Sequence, residues 1–177
     1  MPLLLSIAIV LLDGAWLFAA ESAAQAEYML KSALLFNIAK FVEWPDSDTA
    51  PPGSPLTFCM TGNQFSGTID GIAGKTIQGR SVAVKNIAAP RDAGGCHLLY
   101  VDMLDGKRTE ELWDVVAERP ILTVCDRPHC AQQGVMINLQ KRDEKIGLEL
   151  NLDLAQQSHL KLSSQLIKLA HLVGPRQ

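Results

Sequence analysis

Four cysteines and four histidines are the residues of this chain with the most chemistry to offer. Residues 125–130 read CDRPHC, a C-x4-C pair with His129 beside the second sulfur, and Cys96-His97 forms a second Cys-His neighbour pair upstream. Such a set could ligate a metal, carry out thiol redox chemistry or staple the fold. Zinc is disfavoured, because adjacent strand residues point to opposite faces and the spacing matches no common zinc pattern. A thioredoxin-type site needs Cys-x-x-Cys at a helix N-terminus, and C-x4-C before Ala-Gln-Gln-Gly is not that. "GNQFSG" and "GIAGK" are not phosphate loops, since no Gly-Lys-Ser/Thr follows a strand. Asp70, Asp102 and Asp105 read as scattered, solvent-facing acids. His97, His129, His159 and His171 read as surface residues with no partner at catalytic spacing. The expectation is a protein with no catalytic residues, no metal and no cofactor.

The choice among these chemistries depends on the compartment. Leu3 to Ala20 is a mostly apolar run, and Ala24-Gln25-Ala26 has the small-x-small form that signal peptidase accepts. We read residues 1–26 as a secretory signal peptide cut after Ala26, so that residues 27–177 are exported. No Lys or Arg precedes the run and Asp13 interrupts it. The alternative is an uncleaved anchor, in which a central Asp is costly. All four cysteines lie in the exported part, and an even count in an oxidising compartment favours disulfides. Four cysteines allow three pairings. One of them joins Cys125 to Cys130 across a short loop containing Pro128 and Cys59 to Cys96 across a longer one.

The formal net charge is −3 with no basic cluster, so there is no electrostatic reason to bind nucleic acid. Disorder is expected only at the tail and around Asp46–Ser54, where DSDTAPPGS is a loop by composition. Glu27–Trp44 reads as a helix stopped by Pro45. "LTFCM" (56–60), "RSVAVKNI" (80–87), "CHLLYVDM" (96–103) and "ILTVC" (121–125) read as strands. "NQFSGTIDGIAG" (63–74) reads as a short helix, and "RTEELWDVVAE" (108–118) as a helix with Thr109 as its N-cap. "GVMINLQ" and "KIGLELN" read as a hairpin, and "SSQLIKLAHLVGP" as a final helix burying Leu166, Leu169, Ala170 and Val173. The sum is a single-domain α/β sandwich, with helices flanking a mixed sheet of about six strands.

The first helix carries the most informative pattern. On an ideal wheel Leu30, Leu34, Ile38, Phe41 and Val42 form an apolar face, extended by Tyr28 and Leu35. Lys31, Ser32, Lys40 and Glu43 lie away from it, and Phe36 falls among those polar residues. Trp44 is also off the stripe. Exposed aromatics mark a partner or ligand surface, whereas aromatics covered by the sheet or a loop mark only core.

"KSALLFNIAKFVEWP" before a cysteine-bearing strand resembles the YfiR family of periplasmic regulators. So does "GVMINLQKRDEKIGLELNLDLAQQSHLKLSSQLIKLAHLV", with its Glu-x-Asn and Leu-x-x-Ser-Ser-x-Leu patterns. The chain departs from the family at His129-Cys130 and Gln133-Gly134, where an aromatic often precedes a Gly-Gly pair. The resemblance implies a disulfide-stapled α/β domain over residues 27–177, with bridges Cys59–Cys96 and Cys125–Cys130. It also implies a non-enzymatic repressor that binds the periplasmic sensory domain of an inner-membrane diguanylate cyclase, lowering cyclic-di-GMP and biofilm formation. An outer-membrane OmpA-like lipoprotein is the implied relieving partner, and a second copy of the chain is a further partner that the sequence allows.

The expected contact residues are Phe36 and Trp44 of the first helix and His129 of the stapled loop. Two other readings stay open. One is a periplasmic small-ligand sensor with Phe36, Phe41 and Trp44 near an apolar pocket, and the other is a thiol or metal protein using residues 125–130.

Overall fold

The structure is a computed structural model that describes residues 23–45, 51, 53–102, 106–142 and 145–174. The apolar leader, Asp105 and most of the loop that follows Pro45 lie outside the described residues. The chain begins with helix α1 (residues 23–39) and the short strand β1 (Val42–Glu43). It continues through β2 (Leu56–Met60), β3 (Thr76–Ile77), β4 (Arg80–Asn86), β5 (Leu98–Tyr100), α2 (Gly106–Val116) and β6 (Leu122–Cys125). The second half holds β7 (Ile137–Arg142), β8 (Lys145–Leu150), α3 (Leu152–Gln157), β9 (Lys161–Leu162), α4 (Ser164–Leu169) and β10 (His171–Leu172). The expected α/β sandwich is present, and its main sheet has eight strands in the order β10-β8-β7-β6-β5-β2-β4-β3, with β1 and β9 paired separately.

Strand alternation sorts the core into two layers. Leu56, Phe58 and Met60 of β2, Leu98 and Tyr100 of β5, and Leu122 and Val124 of β6 face one side, where Leu35, Ile38 and Ala39 of α1 cover them. Cys59 and Leu99 face the other side, against Leu112 and Val116 of α2. Strands β4, β2, β5, β6 and β7 are parallel neighbours, as helices on both faces favour, whereas β7 and β8 form the expected antiparallel hairpin.

Four expectations need correction. The first helix ends at Ala39, and Val42 and Glu43 pair instead with Leu162 and Lys161. Thr109 is not an N-cap, because α2 already begins at Gly106. The last helix stops at Leu169, and His171 and Leu172 form an edge strand parallel to β8 that leaves Leu169 and Leu172 exposed. Residues 63–74 give only a 3-10 turn, Ile69–Ile72, which buries both isoleucines.

The buried face of α1 also differs from the ideal wheel. Lys31 and Ser32 are 4 % and 2 % exposed, whereas Met29 and Leu30 are 60 % and 51 % exposed. Small side chains let the helix sit low on the sheet: Ser32 donates its hydroxyl to the Tyr28 carbonyl at 2.8 Å, and Ala39 is wholly buried. A wheel that sends every lysine outward misplaces this helix, because Lys31 has an ion pair waiting for it in the interior.

Candidate functional site

The chain runs from β2 outward to β3 and β4, then returns to place β5 on the other side of β2. In open α/β sheets such a reversal opens a crevice at the carboxyl ends of the strands. Here that edge gathers Tyr100, Asp102, Asp126 and Arg127, with the Glu27 end of α1 lying over them. Lys31 Nζ donates to Glu27 Oε1 at 2.6 Å and to the Asp126 carboxylate, and Lys141 Nζ donates to Glu27 Oε2 at 2.7 Å. The Tyr100 hydroxyl hydrogen-bonds to Asp126 as well. Tyr28, Phe65 and Tyr100 stack edge-to-face beside the cluster, with centroids 5.1 and 4.6 Å apart. Arg127 Nη2 donates to Asp102 Oδ1 at 2.6 Å, and the Asp102 amide donates to Thr61 Oγ1 at 2.8 Å.

The electrostatics follow from these contacts. Burial alone would lower the Lys31 ammonium, but its hydrogen bonds to Asp126 and Glu27 outweigh that and hold it above its ordinary value. Burial, then the bond to Asp126, pushes the Tyr100 phenol up and out of the titratable range. Lys141 first, then Lys31, holds the Glu27 carboxyl below its ordinary value. A depressed carboxyl stabilises the fold above its unfolded-state pKa, and that contribution disappears as pH falls through the folded one. Glu27→Gln should therefore remove about 0.5–1 kcal/mol at pH 7 and less than that at pH 4, measured by urea unfolding at both values.

The cysteines complete the picture. Cys59 bonds to Cys96 and Cys125 to Cys130, with Cα atoms 5.9 and 6.4 Å apart, so the pairing implied by the resemblance is the one present. With all four sulfurs bonded, no thiolate remains to ligate a metal or attack a substrate. Both bridges pack under α2: Cys59 and Cys96 against Leu112 and Val116, and Cys125 and Cys130 against Trp113. The loop closed by the second bridge carries Asp126, so the bridge also fixes the carboxylate that anchors Lys31. Four residues beyond the bridge Gly134 adopts φ +98°, and a Cβ there would lie 3.4 Å from the Trp113 ring. Gly134→Ala should cost about 1–2 kcal/mol from its backbone conformation alone, measured by chemical unfolding.

The three expected contact residues do not converge on one site. His129 is exposed at the carboxyl edge, with φ 66°, beside the second bridge. Trp44 lies at the opposite edge, half-buried, where its Nε1 donates to the His97 carbonyl at 3.1 Å. Phe36 lies between them on α1, half-buried against the core, with the ammoniums of Lys40 and Lys75 4.5 and 5.6 Å from its ring centre. Phe36 thus borders the buried side of α1 instead of opposing it. Seven residues, about two turns, separate it from exposed Met29, so both lie on one line of the helix. Leu30, expected on the inward face, is instead exposed together with Met29, and the two are the exposed large apolar residues of α1.

His97 is not a surface residue. It is 8 % exposed, and its Nδ1 accepts the Thr57 amide at 3.1 Å. Asp102 is likewise half-buried and paired. Asp102 and Asp126 of the crevice are thus each bound to a base, Arg127 and Lys31, an arrangement that locks elements together.

Against this background, a family model described as YfiR/HmsC-like matches residues 28–171. The chain belongs to the YfiR/HmsC-like family. The match runs from Tyr28 of the aromatic stack to His171 of the edge strand, so both disulfides, the Lys31–Asp126 pair and all three candidate contact residues fall within the YfiR/HmsC-like region.

Proposed function

We propose that this YfiR/HmsC-like chain is an exported, non-enzymatic regulator. It binds the periplasmic sensory domain of an inner-membrane diguanylate cyclase and holds the enzyme inactive, so that cyclic-di-GMP and biofilm formation stay low. The observation that carries this reading is the family match over residues 28–171, which spans nearly all of the described fold. Two features of the molecule fit a binding role. Its thiols and the acids of the crevice are held in structural pairs, and α1 presents the neighbouring Met29 and Leu30 outward, as a partner-binding surface would. Relief of repression then comes from competition for this protein by an OmpA-like lipoprotein of the outer membrane.

The direct experiment is titration of the purified protein with the cyclase's periplasmic domain. Binding is expected for the native protein. Leu30→Glu should weaken it at least tenfold, about 1.4 kcal/mol, without unfolding the chain, because Leu30 is half-exposed. Phe36→Ala, Trp44→Ala and His129→Ala ask in the same assay which edge of the sheet takes part. Full affinity in Leu30→Glu together with all three of these variants would remove α1 and both edges as the contact surface.

The small-ligand reading places an apolar pocket near Phe36, Phe41 and Trp44. Trp44 instead lines a largely polar cavity of about 410 Å3 with Glu43, Gln78, His159 and Lys161, and neither phenylalanine shares it. A larger, mainly apolar cavity lies elsewhere, beside α2.

A further inference from the structure

A cleft of about 730 Å3 opens between α2 and α3, within the size range of small-molecule sites. Its wall is apolar: Trp113 and Val116 of α2, with Ala117 just after it, face Met136 and Leu154. The Trp113 ring is a fixed surface, because it is wedged against the Cys125–Cys130 bridge and Val135, and Gly134 supplies no side chain to displace it. Thr123, 1 % exposed, lines the back of the cleft. Its hydroxyl oxygen accepts the Met136 amide at 3.0 Å and, among the described residues, its proton is donated to no acceptor.

The mouth of the cleft has a definite chemistry. Among the described residues Glu118 and His159 are its ionisable lining, with no lysine or arginine. Glu118 makes no ion pair among the described residues. Both mouth residues hold left-handed backbones, φ 55° for Glu118 and 59° for His159. Four described residues other than glycine do so, and two of them stand at this opening. Each stands two residues past a helix, Glu118 after α2 and His159 after α3, where a left-handed residue closes the helix and turns its own side chain toward the gap between the two.

We propose that this cleft binds a small, flat, mainly apolar amine. Its ring lies against the Trp113 indole, its ammonium faces the Glu118 carboxylate, and an acceptor atom, where the molecule has one, takes the Thr123 proton. The mouth favours an amine over an acid, because among the described residues it offers the Glu118 carboxylate beside the His159 imidazole and no guanidinium or ammonium. The site is independent of the partner-binding reading. Its position does bear on the molecule's staples, since the ring that forms its wall also packs on the second disulfide.

The test is an NMR titration of the whole exported chain with phenethylamine, following the indole N–H signals and using Trp44 as the internal control. Saturable movement of the Trp113 signal, with Trp44 unmoved, is expected. Glu118→Gln should weaken the interaction about fivefold to tenfold, and phenylacetate should bind more weakly than the amine. Glu118 is exposed, so the substitution leaves the fold intact, which the unchanged Trp44 signal reports. A Trp113 signal that phenethylamine does not move overturns the proposal. So does one that moves equally with phenylacetate or in Glu118→Gln, since that would be apolar contact without recognition.

Discussion

Replacing Cys59 and Cys96 together by alanine should lower the unfolding free energy by about 4 kcal/mol, against about 2 kcal/mol for the same change at Cys125 and Cys130. The difference comes from loop length. The first bridge joins positions 37 apart in sequence and the second joins positions 5 apart, and a longer closed loop removes more freedom from the unfolded chain. The first bridge also has a local consequence. Cys96 is followed by His97, whose carbonyl accepts the Trp44 indole and whose ring accepts the Thr57 amide. Loss of the bridge should therefore loosen the Trp44 edge before the Lys31 cluster. The single change Cys59→Ser should reduce stability and repression together, measured by denaturant unfolding without reductant and by cellular cyclic-di-GMP. Intact repression in that variant would show that the bridge is not needed for partner binding.

Lys31→Met should destabilise the protein by about 3 kcal/mol, and Asp126→Asn by about 1–2 kcal/mol. The asymmetry follows from who is left unpaired. Without Lys31, the Asp126 carboxylate remains buried with only the Tyr100 hydroxyl, and Glu27 keeps Lys141. Without the Asp126 charge, Lys31 keeps Glu27 at 2.6 Å. The double variant should lose less than the sum, because it leaves neither charge stranded, and a coupling of about 1–3 kcal/mol should appear in the cycle. Strict additivity would mean that the pair does not hold α1 to the disulfide loop. Since the two residues lie 95 positions apart, the cycle is also a measure of how firmly the first helix is fixed to the far half of the fold.

What could be read from the sequence was whatever local patterning controls. The β2 strand LTFCM, the β6 run ending at Cys125 and the β7–β8 hairpin all showed as apolar or alternating runs with turn residues between them, and they occur at or within two or three residues of the expected bounds. The strands that left no mark, β1, β3, β9 and β10, are two residues long and exist only because a partner strand lies beside them. Helix α3 was missed for a similar reason: "LDLAQQ" is short, and its Asn151 cap, which accepts the Leu154 amide at 3.1 Å, sits where the second strand of the hairpin was expected to end.

The site followed the same division. The disulfide pairing came from the family resemblance, since spacing alone left three arrangements. The burial of Lys31 was invisible, because its partner Asp126 is brought to it only by the order of the strands. His97 was misjudged on the same ground. Trp113, which looked like one residue of an ordinary amphipathic helix, became a wall for both a disulfide and a cleft once the loop after β6 folded over it.

If this protein restrains a diguanylate cyclase by binding it, as proposed, loss of the protein must release the enzyme. Cellular cyclic-di-GMP, compared among the parent strain, a strain lacking this gene and that strain with the gene restored, tests it most directly. A rise on deletion that the native gene reverses, and that the Leu30→Glu variant made at the same level does not, is the predicted result. Unchanged cyclic-di-GMP on deletion across several growth conditions would contradict it.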